Sequence, residues 1–223
     1  MISLLMIADD FTGALDTGVQ FAASGVETRV VVGTDGVLSA AAPEVQVLVV
    51  DAETRHMTPQ EACAAVESLT RQAAELGVRY IYKKTDSALR GNIGAELTAL
   101  LRTSGARRLP FLPAYPQVGR TTVDGVHLVD GVPVSESVFG RDPFEPVRHS
   151  AVAELIAEQS DVPVHLSPAL GPDSPVPQDE GILVFDGQTP EDLSATAQRL
   201  LETDGLHIMA GCAGFGAVLP ALL

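Results

Sequence analysis

Four short stretches carry residues able to do chemistry, and each stands where an apolar run gives way to small or polar residues. The first is IADDFTGALDTG, residues 7–18, with Asp9 and Asp10 adjacent. Two successive carboxylates in a poorly solvated crevice repel each other, so the pair calls for a partner: a substrate hydroxyl, a metal or a nearby Arg. The other reading of the same letters is a helix cap by Asp10 or Thr12. The second stretch, YKKTDSALRGNIGAEL (82–97), holds both lysines of the chain, Lys83 and Lys84, with Asp86, Ser87, Arg90, Gly91 and Asn92. A guanidinium fork, ammonium groups and small neutral donors suit a carboxylate or a phosphate. Gly91 and Gly94 admit close backbone approach. A plain polar loop is the alternative.

The third stretch is PAYPQVGRTTVDG (113–125), where Arg120 is either an anion ligand or a surface cation. Nearby, His127 reads as structural and Asp142, before Pro143, as a turn residue. The fourth is AGCAGFG (210–216), which could form a backbone anion cradle or simply let a strand and a helix pack tightly.

The background charge sharpens these readings. With 14 Lys and Arg against 29 Asp and Glu, the net charge is −15, which argues against a nucleic-acid partner. An anion site in such a chain has to be assembled locally from Arg, Lys and backbone N–H groups. Phosphate loops of the G-x-x-x-x-G-K-[ST] kind, G-x-G-x-x-G and G-x-S-x-G are all missing. His and Cys have no metal-ligand spacing, so no metal site is expected. Cys63 and Cys212 lie far apart and form no disulfide framework, which points to a reducing cytoplasm. No apolar run approaches the ~18–20 residues of a membrane span, and the N-terminus reads as a buried strand rather than a signal peptide.

The elements that must position these residues alternate. Apolar runs at 2–8, 28–32, 45–50, 79–84, 108–114, 162–166, 181–186 and 206–210 read as strands. Amphipathic stretches at 13–24, 58–76, 94–104, 150–159 and 189–203 read as helices, with 214–223 as a closing helix. Thr58, Pro59 and Glu61 spell a capping box. The alternation predicts an α/β fold: three layers, a mostly parallel open sheet flanked by helices. Residues 113–149 break the pattern with several Pro and Gly, and Asp130-Gly131 predicts a β-hairpin inside that irregular insertion.

ADDFTGALD, KKTDSALRGNIGAEL, PAYPQVGRTTVDG and AGCAGFG, in that order, resemble the four-carbon acid sugar kinase family over essentially the whole chain. The resemblance implies an ATP-dependent kinase of small sugar acids such as threonate, erythronate or 3-oxo-tetronate. In that family a first domain holds the acid sugar and a second holds the nucleotide. Residues 1–223 correspond to the first alone, as a single substrate-binding domain. ATP and Mg2+ would then be needed by the full enzyme but not held by this chain. The nucleotide-binding domain is expected as a separate chain or a further C-terminal part. Carried over by motif, Asp10 is the catalytic candidate. Asp9, Lys84, Asp86, Ser87, Arg90, Gly91, Asn92 and Arg120 are the substrate-binding candidates, with Arg90 and Arg120 on the substrate carboxylate and facing the two acids. Ala88 stands where the family pattern has Thr, and Cys212 where it has Ser. The alternative is a stand-alone module that binds a small sugar acid without catalysis.

Overall fold

The computed structural model describes residues 2–38 and 41–223. β1 (Leu4–Ala8) is buried along its whole length, as a continuous apolar run in a parallel sheet should be. It leads into α1 (Phe11–Ala23), then β2 (Thr28–Val32), β3 (Val47–Asp51), α2 (Pro59–Glu75) and β4 (Tyr80–Lys84). α3 (Ile93–Ser104) and β5 (Arg108–Leu112) follow. The insertion carries β6 (Arg120–Val123), β7 (Val126–Val129) and β8 (Val132–Pro133). After it come α4 (Val152–Ala157), β9 (Val164–Ser167), β10 (Gly181–Phe185), α5 (Pro190–Glu202), β11 (Ile208–Gly211) and α6 (Ala213–Gly216).

Eight strands form one sheet in the order β2-β3-β1-β4-β11-β5-β10-β9, and its pairings are parallel. One apolar cluster joins the sheet to α2, α3 and α4 through Val66, Leu69, Leu97, Leu100 and Ile156. A second joins the opposite face to α1, α5 and α6 through Ala14, Phe21, Leu193 and Phe215. The expected three-layer α/β fold is therefore observed. Because β1 sends its helix to one face while β4 sends its helix to the other, the sheet's crevice opens at the carboxyl ends of these two neighbours, where ligands of such sheets bind. The register aligns Ala8 with both Lys84 and Asp51, which brings three loops to one level.

Local chemistry explains most element ends. Thr58 caps α2, with its hydroxyl accepting from the Glu61 N–H while the Glu61 carboxylate accepts from the Thr58 N–H. Thr189 and Asp192 repeat the device on α5. β6, β7 and β8 form a separate antiparallel sheet. The Asp130-Gly131 hairpin turn has both residues at positive φ, 51° and 79°. Two expectations change. Residues 214–223 are not one helix: α6 is a single turn, followed by a 3-10 turn at Leu219–Ala221. Pro220 supplies no N–H and restrains the residue before it. β6, unread in the sequence, is Arg-Thr-Thr-Val pairing with β7.

Candidate functional site

The two acids have a partner, and it is Arg55. β3 ends at Asp51, and the chain turns through Glu53, at φ 52°, into a 3-10 turn, Thr54–His56. That turn delivers the Arg55 guanidinium to the end of β1. Its Nε and Nη2 lie 2.8 and 2.7 Å from Asp9 Oδ2. Nη1 donates to Asp10 Oδ2 at 2.8 Å, and Nη2 lies 3.4 Å from Asp86 Oδ1. Burial opposes the charge on Arg55, but the three carboxylates outweigh it and hold the guanidinium more firmly protonated than usual.

Asp10 is both cap and site residue. Its Oδ1 accepts from the Gly13 N–H at 3.0 Å, closing the N-terminus of α1, while Oδ2 takes Arg55. Its side chain remains 25% exposed, whereas that of Asp9 is 1% exposed. A carboxylate oxygen has capacity for more than one donor, so Asp10 can still accept from a hydroxyl. Thr12 is exposed and makes no cap; that half of the cap reading falls away. The Lys84 ammonium stands 3.9 Å from Asp9 Oδ1 and 3.7 Å from Asp10 Oδ1. A Cβ on residue 13 would collide with it, so the glycine in ADDFTG is what lets Lys84 reach α1.

Asp86 organises its own loop. Its Oδ2 accepts the Ala88 and Arg90 N–H groups, both at 3.2 Å. Arg90 grips it bidentately, Nε to Oδ2 at 2.9 Å and Nη2 to Oδ1 at 3.0 Å. Burial alone would raise the Asp86 carboxyl; the Arg90 hydrogen bonds and the Arg55 and Arg90 charges instead lower its pKa to about 2. The loop passes through Leu89 at φ 62° and Gly91 at φ 89°. A positive φ at a buried Leu is strained by about 1–2 kcal/mol, and it is held there by the Asp86 bonds.

Asp9 and Asp10 were expected opposite Arg90 and Arg120 across a bound acid; the cation that contacts them directly is Arg55. Arg90 spends its fork on Asp86, and its Nη1 lies 3.8 Å from Asp142. Arg120 donates to the Val118 carbonyl at 2.6 Å. Both guanidiniums approach the Phe139 ring, at 5.2 and 5.4 Å from its centroid. Asn92 is buried and gives its amide to the carbonyls of Thr54 and Met57, 2.9 Å each, so it braces the Arg55 turn. Ser87, half-buried, offers its carbonyl to His127. Gly94 packs against α4, where a Cβ would strike the Ile156 carbonyl. In AGCAGFG, packing prevails over an anion cradle: a Cβ at Gly214 would lie 2.5 Å from the Ala114 carbonyl. Cys212 is buried there with its thiol pushed up to about 11, and Cys63 is likewise free.

Beside the network lies a cleft of about 230 Å³, lined by Arg55, Arg90, Gly91, Asn92, Arg148 and Gln159 among others. Arg55 is its shared wall with the aspartates. Arg55 and Arg148 were both missed in the sequence. Arg55 sits in DAETRHMTP, right after a buried strand and just before a capping box, and that position was the available signal.

His127 is structural, as expected. It is buried, with Nε2 2.8 Å from the Ser87 carbonyl and Nδ1 3.1 Å from Thr122 Oγ1, so a neutral ring donates to Ser87 and accepts from Thr122. Burial depresses its pKa to about 4. The unfolded chain takes this proton near pH 6.5, so the folded state loses stability as pH falls from about 6.5 to 4, by up to ~3 kcal/mol. Denaturant unfolding of wild type and His127→Gln across that window should give curves that converge toward pH 4. Parallel curves would contradict the assignment.

The fold and site thus define a three-layer α/β domain with an Arg55-centred carboxylate network at a sheet crevice and, beside it, a cleft lined by Arg55, Arg90 and Arg148 together with Glu145 and Glu158. The chain belongs to the sugar-binding N-terminal domain family, whose pattern matches residues 4–219. It is 38% identical to D-threonate kinase of Salmonella typhimurium, over 100% of this chain and 54% of that protein. It is 34% identical to D-erythronate kinase of Heliobacterium modesticaldum, over 72% of this chain and 37% of that protein. A Bordetella bronchiseptica domain of unknown function, crystallised with bound citrate as a domain-swapped dimer, has the same fold. It matches with TM-score 0.87 and 28% identity, over 98% of this chain and 55% of that one. The chain spans about half the length of the D-threonate kinases it matches.

Proposed function

We propose that this chain is the acid-sugar-binding half of an ATP-dependent kinase of four-carbon sugar acids, and that residues 1–223 are one substrate-binding domain. The observation that carries the reading is Arg55. It ties Asp9, Asp10 and Asp86 together at the mouth of the β1–β4 crevice while lining the adjoining cleft. That cleft, at about 230 Å³, falls below the ~300–1,000 Å³ usual for drug-sized ligands, which suits a small acid rather than a nucleotide. Citrate in the Bordetella relative is also a small hydroxy acid.

In this reading the cleft's guanidiniums take the carboxylate, and Asp10 accepts the hydrogen of the hydroxyl to be phosphorylated. Phosphoryl transfer asks the protein chiefly for positioning and charge neutralisation. Lys84, at the N-terminus of α1, supplies positive charge next to that hydroxyl. Nucleotide and Mg2+ would come with the other half of the enzyme. The aspartates here do not fit a Mg2+ site, because Arg55 engages all three, and no group of three His, Cys, Asp or Glu among the described residues is arranged for a metal. No described helix is long and apolar enough to cross a membrane, and two free thiols agree with a cytoplasmic protein. The alternative of a stand-alone sugar-acid-binding module without catalysis gains nothing from the relatives, which are named as kinases.

Calorimetric titration with D-threonate, D-erythronate and 3-oxo-tetronate tests the proposal, with threitol as the uncharged control. Heat with at least one acid and none with threitol is expected. A folded protein that binds none of the acids would overturn it.

A further inference from the structure

Beneath the site lies a charge pair that the proposed chemistry does not touch. Lys83 and Glu96 are both 0% exposed, on β4 and α3. Adjacent strand residues point to opposite faces, so Lys84 faces α1 and the aspartates while Lys83 faces α3. Lys83 Nζ lies 3.3 Å from Glu96 Oε2 and donates to the Lys84 carbonyl at 2.9 Å. The other Glu96 oxygen accepts from the Thr54 hydroxyl, in a turn whose carbonyls also take Asn92. Thr54 is buried and immediately precedes Arg55.

Well-packed apolar residues commonly serve a core as well as a buried ion pair does, or better. Stability is therefore a weak reason for this one. What the pair does reach is the backbone on both sides of the site: the Lys84 carbonyl through Lys83, and the Arg55 turn through Thr54. Resting on the function proposed above, we infer that Lys83, Glu96 and Thr54 are positioning residues. They set the Arg55 guanidinium and the Lys84 strand end at the spacing the acid-sugar site requires. Glu96 Oε2 is buried and accepts no hydrogen bond, so the pair is held by charge, by the Lys84 carbonyl and by the Thr54 hydroxyl rather than by a saturated network.

The test uses Thr54→Val, Glu96→Gln and the double variant Lys83→Met/Glu96→Leu, with two readouts. One is calorimetric affinity for the four-carbon acids. The other is the NMR resonance of the Arg55 Nε–H, which donates to Asp9 and reports the guanidinium without any ligand. Thr54→Val should broaden or shift that resonance and weaken acid binding at least tenfold, with a lowered melting temperature because Glu96 loses its hydroxyl donor. Glu96→Gln, which keeps an acceptor for Thr54 but removes the Lys83 counter-charge, should disturb the Arg55 resonance less than Thr54→Val. The double variant should melt at or above the wild-type temperature yet bind at least tenfold more weakly. An unchanged Arg55 resonance in Thr54→Val overturns the inference, whether or not the double variant folds. So does a double variant that binds like wild type. If the resonance moves while wild type binds no acid, the positioning role stands and the function proposal falls.

Discussion

Replacing Arg55 with alanine is expected to abolish measurable acid-sugar binding and to destabilise the fold by about 3–5 kcal/mol, the usual consequence of removing one partner from buried ion pairs. Asp9, 1% exposed, loses its guanidinium hydrogen bonds, and Asp10 keeps only that from the Gly13 N–H, with Lys84 as their remaining counter-charge. Lys84, at 3.7 Å or more from both, is too distant to hydrogen-bond either as the chain stands. The arginine-lined cleft loses its shared wall at the same time. Arg55→Lys should recover little, because one ammonium cannot replace a planar fork that addresses three carboxylates. Calorimetry reads the binding and a urea midpoint reads the stability. A variant with wild-type affinity would show that the network is scaffolding alone.

The second large effect is at Asp10. Asn is as good an N-cap as Asp, so Asp10→Asn should keep α1 and change stability by about 1 kcal/mol or less. It removes the carboxylate that, in the proposed mechanism, accepts the hydroxyl hydrogen. Loss of such a group typically slows a reaction ~10²–10⁴-fold. The drop should fall on kcat of the complete kinase carrying the substitution, measured by coupled ADP release, with acid-sugar affinity reduced far less. A kinase that turns over normally with Asn at this position would reduce Asp10 to a helix cap.

Much of this architecture was legible in the letters, for identifiable reasons. Buried parallel strands are near-continuous apolar runs, so LLMIA and VLVVD announced themselves. Thr58-Pro59 with Glu61, and Asp130-Gly131, encode their geometry locally. β6 was missed because Arg-Thr-Thr-Val has no apolar pattern, although the Asp124-Gly125 turn into β7, at φ 50° and 73°, is the same signal as Asp130-Gly131. The same limit governs the site. Asp9, Asp10, Lys84, Asp86 and Arg90 stood out because they cluster in sequence, and they do gather in space. Which cation meets which acid is set by sheet order. β3 lies beside β1, so the partner of the N-terminal acids comes from the loop after β3, some 45 residues on in the chain. Arg90 is retained by an acid within its own loop, and Arg120 by its own insertion. Lys83 was read with Lys84 as an anion-binding ammonium and Glu96 as an ordinary helix residue, since nothing local marks a charge that is to be buried.

The most direct test of the central claim is a crystal structure of this chain with D-threonate bound. The acid should lie at the carboxyl ends of β1 and β4, its carboxylate on the guanidiniums of the Arg55–Arg90 cleft and a hydroxyl within hydrogen-bond distance of Asp10. Ligand bound elsewhere, with Arg55 and Asp10 untouched, would contradict it.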